Sequence, residues 1–284
     1  MNRRDFLISL TASVIFGGFA PGELLAEIAK KTSLTTLEDH DDHIKDYLIR
    51  MKQFNKHHRG DIFLERHKYH LLKSSVKRLK RLQQTVGHAN FYLLSFDEAR
   101  KTARNYSRVG RFAKDELSFL QEIFYGDAKL YGFFGDKPIK NLTDRIQRRT
   151  VVKIPRTGNY LYKGSALNTY KQIKRQLGNQ VILTSGVRSV MKQFLLFLNK
   201  AYQNNGNLSL ASRSLAPPGC SFHGIGDFDV GQPGFGANNF TERFTTTKAF
   251  NKLSELGFIN LRYPKDNLLG VRFEPWHVKI NTRI

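Results

Sequence analysis

Nine histidines are spread unevenly along this 284-residue chain: seven lie before residue 90, and only His223 and His277 fall in the second half. His223 stands in SFHGIGDFDVG, with Asp227 and Asp229 just beyond it. His277 closes the tetrapeptide EPWH, which also holds Glu274 and the only tryptophan, Trp276. Two imidazoles and one carboxylate, with water in a fourth position, make an open tetrahedral zinc site suited to hydrolysis. Such an ion lowers the pKa of bound water to about 7, and a glutamate such as Glu274 is the residue type that takes its proton.

These residues need elements that bring them together. Pro275 biases Glu274 away from helical geometry, so GVRFEPWHVKI predicts a terminal strand. In a regular strand, positions i and i+3 face opposite sides. Glu274 and His277 therefore serve one site only if the strand bends or bulges between them. Upstream, the apolar, mostly β-branched run Val181 to Thr184 predicts a strand ending at Ser185-Gly186, and Val190 to Tyr202 has helical spacing. SLAPPGCSFHGIGDFDVG reads as a Pro/Gly-rich loop entering an alternating segment, and FTTTKAFNKLSELGF as a helix closed by Gly257. Helices mixed with strands, without a regular βαβ repeat, favour an α+β fold. The expected catalytic domain, residues 150–284, has a small antiparallel sheet flanked by helices.

The first half differs in texture. Tyr69, Leu72, Val76, Leu79, Leu82 and Val86 share one helical face, with Lys73, Lys77, Arg78, Lys80 and Arg81 mostly around the other. Ser95 and Glu98 form a capping-box signature, and Leu117, Leu120, Phe124, Ala128 and Tyr131 mark a further helix that stops near Gly132 and Gly135. Residues 60–138 thus read as a helical domain with no catalytic constellation of its own. Its basic face and the aromatics of GHANFYLL and IFYGDAKLYGFF suit an anionic, sugar-bearing mesh as well as plain packing. Residues 21–59 read as a polar linker, in which His40-Asp41-Asp42-His43 lacks the partner set of a metal cluster.

Composition bounds the setting. The net charge is +22, and the single cysteine, Cys220, forms no internal disulfide. Residues 1–20 open with Arg3-Arg4, continue in an apolar stretch and offer small residues for cleavage, which resembles a twin-arginine signal. That stretch is short for a bilayer span of ~20 residues, and no later one is long enough, so the mature chain is expected to lack a transmembrane span. Without residues 1–20, 44 basic and 23 acidic residues remain. Such a field attracts polyanions. A periplasmic or exported chain meets anionic cell-wall polymers, so no nucleic acid is expected as partner.

Three stretches then resemble one family. SGVRSVMKQ (185–193), PPGCSFHGIGDFDV (217–230) and RYPKDNLLGVRFEPWH (262–277) are similar to the three ordered motifs of VanY-type D-alanyl-D-alanine carboxypeptidases. These group with zinc dipeptidases and hedgehog-like folds. The resemblance implies that His223 and His277 ligate zinc, that Glu274 is the catalytic base, and that Arg188 faces the substrate carbonyl to stabilise the oxyanion. It places Ser221 and Gln193 at substrate-binding positions. The family's acidic ligand usually lies seven residues after the histidine, whereas Asp227 and Asp229 follow His223 by four and six. Deleting one residue after Gly226 aligns Asp229 as the ligand and leaves Asp227 to orient a ligand histidine. The implied activity is zinc-dependent hydrolysis of peptidoglycan stem peptides, with release of terminal D-alanine. The alternatives are a peptidoglycan endopeptidase or a noncatalytic wall-binding module on the same fold.

Overall fold

The apolar stripe of helix α1, Tyr69–Val86, buries Leu72, Val76, Leu79 and Leu82. Arg78, expected on the wet face, instead turns inward. It pairs with buried Glu116 at 2.8 Å and donates to the carbonyl of Val109. The Ser95–Glu98 capping box is present at the start of α2, Phe96–Asn105. Helix α3, Lys114–Tyr125, ends one turn earlier than the apolar spacing predicts. Gly126 follows it in an extended conformation, and Ala128–Tyr131 continue as a separate 3-10 turn.

The computed structural model describes residues 44–280. The twin-arginine stretch, the His40–His43 cluster and most of the proposed linker lie outside the described residues. From Leu48 onward the chain forms one compact unit. The division into a helical domain at 60–138 and a catalytic domain from 150 therefore does not match the packing. One continuous core joins Leu72, Leu79, Phe91, Leu120 and Phe124 to Phe194, Phe197 and Leu198 of helix α5, Val190–Gln203. An amphipathic helix cannot bury its stripe alone, and here the chain's own C-terminal half covers it. The same core takes Phe91, Phe124, Tyr131 and Phe133, which removes most of the aromatics expected to meet sugar; Tyr125 and Phe134 stay exposed.

The mixed part carries a hairpin, β1 (Val151–Lys153) with β2 (Tyr160–Tyr162), then helix α4, Ser165–Leu177. A three-stranded antiparallel sheet follows in the order β3-β4-β5, formed by Ile182–Ser185, Phe228–Gly231 and His277–Val278. Helix α6, Leu208–Ser214, and helix α7, Lys248–Glu255, complete the flanks. A second core lies between this sheet, α4 and α7, and includes Ile173, Phe228, Val230, Leu253 and Trp276. The architecture is α+β, as the sequence predicts.

The terminal strand is shorter than expected. Glu274, Pro275, Trp276 and His277 form a turn in which the His277 N–H donates to the Glu274 carbonyl at 3.2 Å, and only His277–Val278 pair as strand. Proline, with its fixed φ, is favoured at the second position of such a turn. A turn rather than a bulge thus puts Glu274 and His277 on one side. The bulge sits across the sheet, where the β3–β4 register shifts between Leu183 and Ser185, opposite Asp229.

Candidate metal centre

The motif around Ser185 is a scaffold for everything near it. Gly186 approaches β2 so closely that a Cβ there would lie 2.0 Å from the Tyr160 carbonyl oxygen. No side chain fits, which accounts for the glycine. The Gly186 carbonyl accepts from His223 Nδ1 at 2.8 Å. Ser189 caps α5 by accepting from the Lys192 N–H, and its own N–H donates to the Tyr92 carbonyl. Between them Arg188 donates from Nε to Ser185 Oγ at 2.9 Å and from Nη2 to Asp229 Oδ2 at 2.7 Å.

Because a carbonyl only accepts, the bond to Gly186 makes His223 Nδ1 the protonated nitrogen and leaves the Nε2 lone pair facing Asp229 Oδ1 at 3.2 Å. His277 is oriented in the opposite sense. Its Nε2 lies 2.9 Å from Asp227 Oδ2, and its Nδ1 is 3.3 Å from Asp229 Oδ1 and 3.5 Å from Glu274 Oε2. The two rings meet edge to face with centroids 4.8 Å apart. Asp227 is itself held by Arg262, at 2.7 Å, and by the Ile280 N–H at 2.8 Å. Arg262 also stacks on the Phe222 ring. Asp227 therefore occupies the orienting place behind His277, and Asp229 faces both imidazoles.

His223, Asp229 and His277 each offer one ligand atom within 4.8 Å of the others, and all three are buried. Asp229 Oδ1 has no hydrogen-bond partner although two ring nitrogens lie within ion-pair distance. A buried carboxylate oxygen left in that state is costly. A divalent cation between these donors satisfies it, and the set of two imidazoles and a carboxylate is the one that suits zinc. The residues present fit the metal.

Electrostatics agree with that arrangement. Burial alone would raise the Asp229 carboxyl, but the two neighbouring imidazoles and the Arg188 guanidinium hold it well below the usual carboxylate range. Asp227 is likewise lowered against its burial by His277, Arg262 and the Ile280 N–H. Burial and the nearby Arg188 charge lower His223, which keeps it neutral. Burial would lower His277 too, but its contacts with Asp227, Asp229 and Glu274 raise it well above the ordinary imidazole value.

A cavity of ≈ 250 Å³ opens on this group, and Arg188, Ser221 and Gln193 all line it. Gln193 is buried and its amide nitrogen donates to the Ala216 carbonyl, so it braces the loop that carries Ser221 and His223. Tyr92, Lys192, Tyr263 and Arg272 line the cavity as well; Lys192, Tyr263 and Arg272 fall within the quoted motifs, but the resemblance assigns none of them a role. Arg262 lies in a quoted motif, but its bond to Asp227 depends on a residue 35 positions away.

Residues 163–281 match the family described as VanY, D-alanyl-D-alanine carboxypeptidase. No curated protein matches the chain. Among solved structures, the LdcB LD-carboxypeptidase, described as revealing the basis of peptidoglycan recognition, is 22% identical with a TM-score of 0.36. That match covers 52% of this chain and 66% of the other. VanYB in complex with D-Alanine-D-Alanine is 23% identical over 46% of this chain and 77% of its own, with a TM-score of 0.38. A VanY D,D-pentapeptidase variant in complex with Zn(II) is 22% identical over 55% of this chain and 89% of its own, with a TM-score of 0.41. With its three motifs gathered around one cavity, the segment 163–281 carries this chain's match to the VanY D-alanyl-D-alanine carboxypeptidase family.

Proposed function

We propose that this protein is a zinc-dependent carboxypeptidase that removes the terminal D-alanine from peptidoglycan stem peptides. The observation that carries the reading is the unsatisfied Asp229 Oδ1, buried between His223 and His277 with Glu274 beside them. His223, Asp229 and His277 would hold the zinc, and Asp227 would keep His277 in the ligating tautomer. Zinc bound there supplies Lewis-acid activation of water and of the scissile carbonyl.

The chain's own groups do the rest. Glu274 takes a proton from the attacking water and returns it to the departing amine as the C–N bond breaks. Arg188 Nε and Nη2 are committed to Ser185 and Asp229, and Nη1 remains to donate to the oxygen that gains charge. Ser221 lies on the cavity wall as a donor for substrate. The +22 charge and the twin-arginine-like stretch support a working site outside the cytoplasm, against anionic wall polymers.

Digestion of purified muropeptides, with products weighed by mass spectrometry, tests this. Loss of one alanine from pentapeptide stems, by protein holding about one zinc per chain, is the expected result. Cleavage at a cross-link alone would replace the carboxypeptidase by an endopeptidase. Unchanged stems would overturn the proposal.

A further inference from the structure

Buried arginines in this protein meet acids as a rule. Arg78 pairs with Glu116, Arg188 with Asp229, Arg213 with Asp61 and Arg262 with Asp227. Lys192 and Arg272 break that rule: both line the cavity, and neither has a carboxylate within ion-pair distance among the described residues. The cavity wall thus carries three cations, Arg188 included, against the two carboxylates Asp229 and Glu274. A cation withdrawn from water without an acid is costly unless a ligand supplies the anion.

Both cations are held in place with help from residues that precede the family region. Lys192 Nζ donates to Gln83 Oε1 of α1 at 3.1 Å and lies 4.8 Å from the centre of the Tyr92 ring. Arg272 is clamped between two aromatic faces, with Phe54 at 4.2 Å and Trp276 at 4.7 Å. Its Nη1 donates to the Phe240 carbonyl, while its buried Nε has no partner. Gln83, Tyr92 and Phe54 all lie outside residues 163–281. A neutral amide and aromatic faces fix these charges without neutralising them.

We infer that Lys192 and Arg272, positioned in part by residues that precede the family region, are specificity residues that bind a free carboxylate on the peptide substrate and so select acid-ended chains over capped ones. The inference rests on the peptidase reading of the cavity and gives the helical segment a part in the site. Charge-assisted hydrogen bonds between a guanidinium or ammonium and a carboxylate are the strong ones, and they vanish when the acid is capped as an amide.

The test uses two stem peptides of one sequence, one ending in D-alanine and the other in D-alaninamide. Equilibrium binding is measured on the full-length, zinc-loaded Glu274→Gln protein, and turnover on the wild type. The acid is expected to bind about ten- to a hundredfold tighter than the amide. Adding Lys192→Met or Arg272→Gln should remove most of that difference while zinc content stays at about one per chain. In turnover the same variants should raise KM more than they lower kcat. Phe54→Ala should weaken acid binding and leave amide binding unchanged, as expected of a positioning residue. Equal binding of acid and amide would overturn the inference even where a variant fails to fold, because the comparison needs only the Glu274→Gln protein. Retention of the full preference by both folded cation variants would overturn it too. Acid-selective binding without hydrolysis by the wild type would sustain the inference and sink the peptidase reading.

Discussion

Two of the buried clusters of acid and cation in this molecule are built to opposite ends. In one, Asp61 accepts from Arg213 at 2.6 and 2.9 Å, from Asn207 at 2.7 Å and from the His58 N–H at 3.1 Å. Both of its oxygens are satisfied. It ties the segment before α1 to α6, helped by the Leu208 N–H donating to the Ile62 carbonyl. In the other, Asp229 has one oxygen on Arg188 and the second facing two imidazoles with no hydrogen bond. A closed network fastens two pieces of chain. An open one, whose donors converge on a point, is arranged to receive something.

Removing ligands should separate the clusters most sharply. His277→Ala should lower zinc content from about one per chain to near zero and abolish hydrolysis, read by elemental analysis and muropeptide digestion. Glu274→Gln should keep the metal and lose about 10²-fold or more in kcat, the scale of general acid–base help. Full turnover in that variant would remove Glu274 from its role as base. Asp227→Asn, one step behind the ligands, should weaken zinc affinity by roughly 10- to 100-fold, measured by competition with a chelator.

Asp61→Asn should leave zinc affinity unchanged. It leaves the buried Arg213 short of its acid, which costs about 3 kcal/mol of stability in denaturant titration. The Asp61 carboxyl is lowered to about 2: burial pushes it up, but Arg213, Asn207 and the His58 N–H outweigh that. A carboxylate depressed in the folded state contributes stability above its unfolded pKa of about 3.9 and loses it as pH falls through the folded value. The gap in stability between wild type and Asp61→Asn should therefore close between about pH 4 and pH 2. A gap that persists at pH 2 would show that the asparagine acts through packing rather than charge.

The legible parts of the site share one property. His223, Asp229, Glu274 and His277 sit in short stretches whose composition is unusual, and Pro275 declares a local backbone constraint. Helix α1 was legible because its stripe repeats at helical spacing, and α2 because its cap is local. Illegible were Arg78, which leaves the basic face to meet Glu116, and the boundary expected near residue 140, which the shared core erases. Neither follows from spacing, because each depends on what packs opposite.

Sequence by itself determined the α+β class, the two histidines in the mixed half, the two candidate aspartates and the glutamate three residues before His277. Tertiary structure alone decided that Asp229 faces both imidazoles while Asp227 stands behind His277. It also decided that a turn rather than a bulge brings Glu274 round, and that Lys192 and Arg272 reach the cavity without acids. The division has a physical cause. Residue type and periodicity act over a few positions along the chain, whereas burial and unmet charge are set by neighbours that only folding supplies.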